Sequence, residues 1–312
     1  MKTTACSLDR RSFLKSATLV AGAALGTRWT GSVQAADAPA SSVPAGRPTI
    51  FKSVKWGMIN EPDLSVEDKF RLLQDLGFDG AELDSPGGVD KAAAIAASQK
   101  TGLPIHGVVD STHWGVRLSD PDAAVREKGR RDLETAIRDS HACGGSAVLL
   151  VPGHGKDGTH EEVATRSLEQ IQNALPLAAK LGIRILIENV WNQFCYQHDG
   201  PGDQSADQLI AFIDAAQSPW VGSYFDIGNH RKYATPSKWI RQLGHRIIKV
   251  DVKDFNHETN KWAEIGEGTV DWDNVRAELG RLNYCGWATA EVGGGDRKRL
   301  ATIKAQMDRV LG

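Results

Sequence analysis

The chain has 312 residues, and its 37 lysines and arginines against 39 aspartates and glutamates give a formal net charge of −2. Hydrophobic residues make up 41% of it, an ordinary share for a globular protein. Without a basic excess, the composition argues against nucleic acid as a partner. Four cysteines with no paired spacing predict neither a disulfide framework nor a zinc–thiolate site.

The first 35 residues have the three parts of a cleavable export signal. The twin-arginine motif is Asp9-Arg10-Arg11-Ser12-Phe13-Leu14-Lys15, an apolar stretch runs from 17 to 26, and small residues end the segment at Ala35. The apolar stretch is shorter than the roughly 20 residues of a membrane-spanning helix. We therefore expect export by the twin-arginine pathway to the periplasm or the extracellular space, with no membrane segment after cleavage. Residues 36–49, rich in alanine, serine and proline, read as a flexible linker before a folded domain over 50–312.

The remaining residues alternate between strand-like and helix-like segments eight times, with short apolar runs separated by stretches of helical periodicity. Eight such units in about 260 residues favour one closed (β/α)8 TIM barrel over an open sheet, for which a Gly-rich dinucleotide loop would be expected. The predicted strands are Val54–Ile59, Gly80–Leu83, Pro104–Val109, Ala147–Val151, Ile183–Glu188, Val221–Asp226, Ile247–Val252 and Trp287–Val292.

Carboxylates stand at or near the ends of the last four predicted strands: Glu188, Asp226, Asp251 and Glu291. The carboxyl ends of barrel strands meet at one mouth, so these side chains are expected to converge. One acidic residue at a strand end is often only a loop or capping residue. Four together would repel by roughly 4 kcal/mol per pair at 4 Å and an effective dielectric of 20. A single divalent cation relieves that repulsion, and oxygen ligands favour Mn²⁺ or Mg²⁺ over Co²⁺ or Zn²⁺.

Five stretches together resemble the xylose isomerase-like barrel superfamily, often called the sugar phosphate isomerase/epimerase family, over about residues 50–312. They are Ile187-Glu188-Asn189, Phe225-Asp226-Ile227-Gly228-Asn229, Ile248 to Asp254, Ile265 to Trp272, and Ala290-Glu291. The resemblance implies one divalent metal held by residues at positions 188, 226, 251 and 291. Position 251 is Asp where the family usually has His, and position 229 is Asn where many members have a substrate-contacting His, with His230 beside it.

The resemblance also implies proton transfer next to a carbonyl through an enediolate, with Glu188 and Glu291 as the catalytic groups of a sugar isomerase or epimerase. Three other readings stay open: a lyase or hydrolase of 3-keto-glycosides that uses the same site, a non-catalytic sugar-binding barrel, and phosphodiester cleavage like that of endonuclease IV. The expected partner is a small sugar or glycoside, and the oligomeric state is open. The candidate substrate-binding residues are Glu82, His106, His113, Trp114, Asn189, Trp191, Asn229, His230 and Lys253.

Overall fold

The computed structural model describes residues 47–312. The predicted leader, residues 1–35, lies outside the described residues, as does the predicted linker 36–49 except for its last three positions.

The strands are β1 (Thr49–Lys55), β2 (Gly80–Ser85), β3 (Ile105–Asp110), β4 (Ala147–Leu150), β5 (Arg184–Glu188), β6 (Val221–Asp226), β7 (Ile247–Val252), β8 (Asp254–Asn256), β9 (Lys261–Ala263) and β10 (Cys285–Ala290). The α-helices are α1 (Val66–Asp75), α2 (Lys91–Thr101), α3 (Ala123–Ala142), α4 (His160–Leu181), α5 (Asp207–Ala215), α6 (Pro236–Leu243), α7 (Trp272–Arg281) and α8 (Arg297–Leu311).

Eight of these strands form a closed barrel in the order β1-β2-β3-β4-β5-β6-β7-β10, with β10 paired back to β1. Every neighbouring pair in the barrel is parallel, and the closing ladder runs from Thr49 opposite Cys285 to Val54 opposite Ala290. Helices follow the strands, as parallel connections require. The predicted TIM barrel is therefore confirmed. Within residues 47–312, no helix has both the length and the apolar character needed to cross a membrane.

Local sequence signals set the ends of several helices. Thr159 and Glu162 form a reciprocal capping box at the start of α4, so two backbone N–H groups that the helix would leave unpaired are satisfied. Gly182 ends the same helix in a left-handed conformation and leads directly into β5. These signals fix where each helix stops and each strand begins, and therefore which residues reach the barrel mouth.

Two sequence expectations about strands were wrong. The first strand was expected at Val54–Ile59, but β1 ends at Lys55 and the chain then turns through a short 3-10 helix at Trp56–Met58. The last strand was expected to continue through Glu291, which instead follows the final residue of β10. The structure also has an unpredicted antiparallel hairpin, formed by β8 and β9 directly after β7.

Candidate metal centre

Four carboxylates from consecutive barrel strands converge at the mouth. Glu188 and Asp226 are the last residues of β5 and β6, Asp251 lies in β7 opposite Asp226, and Glu291 follows β10. Each residue offers one oxygen, and these four oxygens all lie within 4.8 Å of one another. Glu188, Asp226 and Asp251 are buried, and the Glu291 side chain is 34% exposed. The arrangement follows from the parallel barrel, because the strands present their carboxyl ends to the same edge.

The turn after β6 holds Asp226 in place. Its Oδ1 accepts hydrogen bonds from the backbone N–H groups of Gly228 (2.8 Å) and Asn229 (2.7 Å). The Asn189 side chain brackets the Asp226 backbone, donating to its carbonyl and accepting from its N–H, both at 2.9 Å. Gly228 permits a close approach, since a Cβ there would lie 2.5 Å from the Lys253 side chain. The second oxygen of Asp226 is thereby left for the cluster.

Two lysines enter the carboxylate cluster. Lys55 Nζ lies 2.9 Å from Asp251 Oδ2, 3.6 Å from Glu82 Oε2 and 3.7 Å from Glu291 Oε1. Lys253 Nζ lies 2.9 Å from Asp226 Oδ2 and 2.5 Å from Glu291 Oε2. Lys253 was expected to meet substrate, whereas Lys55 was missed, because the misplaced first strand put it at the far end of the barrel.

The carboxyl groups respond differently to this environment. Burial, followed by repulsion from Glu291, raises the pKa of Glu188. Burial, opposed by Lys55 and reinforced by Glu291, raises the pKa of Asp251. For Glu291, burial opposes ionisation, but the attraction of Lys55 and Lys253 prevails and lowers its pKa to about 2. The cluster therefore still resists full ionisation despite its two lysines.

A divalent cation fits this donor set. Four carboxylates and two ammonium groups leave a formal charge of −2, which one divalent ion would neutralise. Asp251 Oδ1 is buried, and none of residues 47–312 donates a hydrogen bond to it. Buried polar atoms normally have a partner, so this oxygen indicates a missing one. A set made only of oxygen ligands suits a hard ion.

A cleft of about 410 Å³ opens beside the cluster. Five of the predicted substrate-binding residues line it: His113, Trp114, Trp191, Asn229 and Lys253. The cleft is also lined by Glu188, Glu291 and several residues that sequence reasoning did not assign, namely Lys55, Asp84, Val109, Ser111, Leu149, Val190 and Trp262.

The aromatic side chains give the cleft flat walls. Trp114 and Trp262 are about half exposed, with 49% and 51% of their surface accessible. Trp191 stacks on Trp262 with ring centres 5.0 Å apart and 23° between their planes. Such surfaces suit the C–H face of a sugar ring.

Polar groups lie among these rings. Burial lowers the pKa of His113 to about 3, so its imidazole is neutral at neutral pH. Its Nδ1 accepts from the Val151 backbone N–H, which assigns the hydrogen to Nε2. Asn229 donates to Glu188 Oε1 at 3.2 Å and accepts from Lys253 Nζ at 3.1 Å. The cleft thus combines hydrogen-bond donors with its carboxylates.

The other four predicted substrate-binding residues are buried and do not line this cleft: Glu82, His106, Asn189 and His230. His106 Nε2 contacts Ser53 Oγ at 2.8 Å, and its Nδ1 contacts Lys249 Nζ at 2.8 Å. Glu82 accepts from the Tyr224 hydroxyl, with both oxygens at 3.1 Å. Glu82 and His106 thus belong to a polar network inside the barrel. Asn189 instead binds the Asp226 backbone, and His230 contacts the Val190 carbonyl, in the segments that follow β5 and β6. Alternation along a strand predicts which side chains face inward, but it does not predict how deep each one lies.

A model of the xylose isomerase-like TIM barrel family matches residues 70–310. The chain belongs to that family. One relative of this xylose isomerase-like barrel is the L-ribulose-5-phosphate 3-epimerase UlaE of Salmonella paratyphi C (strain RKS4594). It is 25% identical over 238 residues, which cover 70% of this chain and 79% of the relative.

Solved structures share the fold. The D-allulose 3-epimerase from Methylomonas sp. superposes with a TM-score of 0.66 at 20% identity, covering 85% of this chain and 98% of that one. The 3-keto-D-glucoside 4-epimerase YcjR from E. coli also gives 0.66, at 14% identity, covering 84% and 99%. Within this xylose isomerase-like barrel, the four-carboxylate cluster and its aromatic cleft therefore lie on a scaffold shared with sugar epimerases.

Proposed function

We propose that this protein is a divalent-metal-dependent sugar isomerase or epimerase that moves a proton on a carbon beside a carbonyl. The observation that carries the proposal is the convergence of Glu188, Asp226, Asp251 and Glu291, one oxygen each within 4.8 Å, beside an aromatic cleft. The epimerase activities named for its relatives support the same class of reaction.

The four carboxylates would hold the ion, and their oxygen-only set favours Mn²⁺ or Mg²⁺, with Co²⁺ and Zn²⁺ as weaker candidates. When bound, a divalent ion supplies positive charge that polarises a carbonyl and a neighbouring hydroxyl of the sugar. The orphaned Asp251 Oδ1 supports this assignment, because a ligand there would satisfy it.

Two carboxylates of the cluster also line the cleft and can reach a bound sugar: Glu188 and Glu291. We assign them the proton transfer: one takes the proton from the carbon beside the carbonyl, and the other, which starts protonated, delivers its own proton. Return to the opposite face of the same carbon gives epimerisation, and return to the neighbouring carbon gives isomerisation. Lys55 and Lys253, which also line the cleft, stabilise the negative charge that develops on the enediolate oxygens.

The remaining cleft residues orient the sugar. Trp114 offers an exposed ring, Trp191 supports the exposed Trp262 ring by stacking on it, and His113 and Asn229 offer hydrogen-bonding groups. We further propose that the protein works outside the cytoplasm, because a twin-arginine leader precedes the barrel in the sequence. An exported enzyme of this class would meet unphosphorylated sugars.

The test is deuterium incorporation from heavy water into a panel of ketoses and 3-keto-glycosides, with Mn²⁺-loaded protein and mass-spectrometric readout. We expect exchange with the wild type and a loss of about 100-fold or more in Glu188→Gln and in Glu291→Gln. Glu67→Gln is the matched control, because this glutamate lies on α1 and forms surface ion pairs with Arg71 of the same helix and with Lys100 of α2. Full exchange in either active-site variant would refute its role, and sugar binding without exchange would indicate a binding protein.

A further inference from the structure

A second cleft adjoins the first at the barrel mouth. It has a volume of about 700 Å³, and three residues line both clefts: Lys253, Trp262 and Glu291. The first cleft alone falls within the usual range of about 300–1,000 Å³ for a small-molecule site. A single sugar ring beside the carboxylate cluster therefore does not require the second space.

Trp262, in the middle of β9, is the aromatic residue among the three that border both clefts. Its ring stacks on Trp191 and meets Phe255 nearly edge-on, at a ring distance of 5.3 Å and an interplanar angle of 79°. Half of its surface nevertheless stays accessible. The exposed Trp262 ring thus borders two clefts, and small-molecule sites are lined mainly by apolar and aromatic side chains.

Asp254 fixes the hairpin that carries Trp262. Its buried carboxylate accepts hydrogen bonds from the backbone N–H of Phe255 at 2.8 Å, of Gly266 at 3.0 Å and from Trp272 Nε1 at 2.9 Å. The β8–β9 hairpin is thereby tied to the loop that leads into α7. Trp262 is preorganised, so little side-chain entropy is lost when a ligand packs against it.

The wall of the second cleft combines small apolar groups with charged ones, and two of its ion pairs are Lys253–Glu291, shared with the first cleft, and Arg299–Glu264. Arg299 donates to both oxygens of Glu264, at 2.6 and 3.0 Å, and to the Gly293 carbonyl at 3.0 Å. The pair offers planar hydrogen-bonding groups without excess charge, which suits neutral hydroxyl-bearing ligands. Ala263, Val292 and Gly293 supply the apolar part.

We propose that the second cleft is a subsite for the group attached to the keto-sugar, so that the preferred substrate is a glycoside or disaccharide and not a free monosaccharide. The keto-sugar ring lies beside Glu188 and Glu291, and the attached sugar ring packs against Trp262 and reaches the Arg299–Glu264 pair. This inference rests on the proposed function for the choice of ligand, while its geometry is that of the second cleft itself.

The test blocks the second cleft from both sides. A Cβ at Gly293 would have no atom within 4 Å, and the backbone there is outside the left-handed region, so Gly293→Trp can add a large side chain to the cleft lining without a clash at Cβ. Ala263→Trp blocks it from the hairpin. Gly57→Trp is the matched control, since that glycine is also exposed and open but lies outside both clefts.

The probes are 3-keto-glucose and 3-keto-cellobiose, measured by deuterium exchange with Mn²⁺-loaded protein and by calorimetric binding. We expect wild-type protein to favour the disaccharide by about tenfold or more in kcat/KM, and both blocking variants to remove that preference while leaving the monosaccharide within about twofold. Gly57→Trp should behave as wild type. Equal handling of the two probes by wild type, or an unchanged preference in both blocking variants, would overturn the subsite.

Calorimetric binding distinguishes failure of the subsite from failure of the proposed catalysis. If neither probe exchanges deuterium but the disaccharide binds more tightly and loses that advantage in the blocking variants, the subsite stands and the proposed catalysis falls. If exchange occurs with both probes at the same efficiency, the catalysis stands and the subsite falls. If no exchange occurs and the two probes bind with equal affinity, both fail.

Discussion

Replacing Lys55 with methionine removes an ammonium group from the centre of the carboxylate cluster while keeping much of the side chain's volume. Lys55 Nζ lies 2.9 Å from Asp251, and Glu82 and Glu291 lie within 3.7 Å. The side chain is only 12% exposed, and the side chains of Asp251 and Glu82 are 1% exposed or less. The substitution therefore leaves buried negative charge without its nearest cation.

Removing one partner of a buried ion pair costs about 3–5 kcal/mol, because the remaining charge is left uncompensated. Lys52→Met is the matched control. Lys52 is on the same strand and its side chain is 11% exposed, but its partner Asp308, 2.7 Å away, is 47% exposed. An ion pair with so exposed a partner contributes about 0–1 kcal/mol to the free energy of unfolding. In metal-free protein, Lys55→Met should thus lose several times more unfolding free energy than Lys52→Met.

Adding Mn²⁺ should reduce the loss of unfolding free energy in Lys55→Met, because the ion supplies positive charge where the lysine was removed. A ligand at 100 times its Kd stabilises the folded state by about 2.7 kcal/mol, and the more negative variant should bind the ion more tightly than wild type. The assay is urea unfolding of wild type, Lys55→Met and Lys52→Met, each with EDTA and with Mn²⁺. Equal losses in the two variants, or a Lys55→Met deficit that Mn²⁺ leaves unchanged, would refute this reasoning.

Two further predictions concern other residues. Burial raises the pKa of Asp110 to about 6, so its ionised form opposes folding by about 3 kcal/mol at pH 8, and this cost fades as pH falls through 6 toward 4. Asp110→Asn should therefore raise Tm clearly at pH 8 and much less near pH 4. The same increase in Tm at both pH values would contradict the raised pKa of Asp110. Trp114 is half exposed in the first cleft, so Trp114→Ala should change the unfolding free energy by less than about 1 kcal/mol. The same variant should weaken sugar binding about fivefold in calorimetry, and unchanged affinity would exclude a stacking role.

The barrel and the four carboxylates could be predicted from the sequence because both follow from one repeated pattern. Apolar runs that end in an acidic residue place those acids at the same edge, once the strands are parallel and the sheet closes. The predicted bounds of β6 and β7 agree with the structure, and these strands position Asp226 and Asp251.

The first strand shows why Lys55 was missed. The segment Trp56-Gly57-Met58-Ile59 is apolar enough to resemble a strand, but the ladder to β10 fixes β1 at Thr49–Lys55. That pairing joins residues more than 200 positions apart, so no local signal reveals it. The boundary decides whether Lys55 lies at the start of a strand or at the barrel mouth.

The β8–β9 hairpin was missed for a related reason. Each strand has only three residues, too few for a recognisable alternation. The hairpin is fixed by Asp254, which binds groups 12 to 18 residues further along the chain. Consequently Trp262, which lines both clefts, had no sequence signal that would place it near the carboxylates.

The central claim is that the four carboxylates together bind one divalent ion, and calorimetric titration of Mn²⁺ into metal-free protein tests it most directly. We expect one ion per chain for the wild type, and an affinity at least about tenfold lower for Asp251→Asn, which removes the charge of a ligand at the centre of the cluster. A wild-type protein that binds no ion, or an Asp251→Asn variant that binds it with unchanged affinity, would contradict the account.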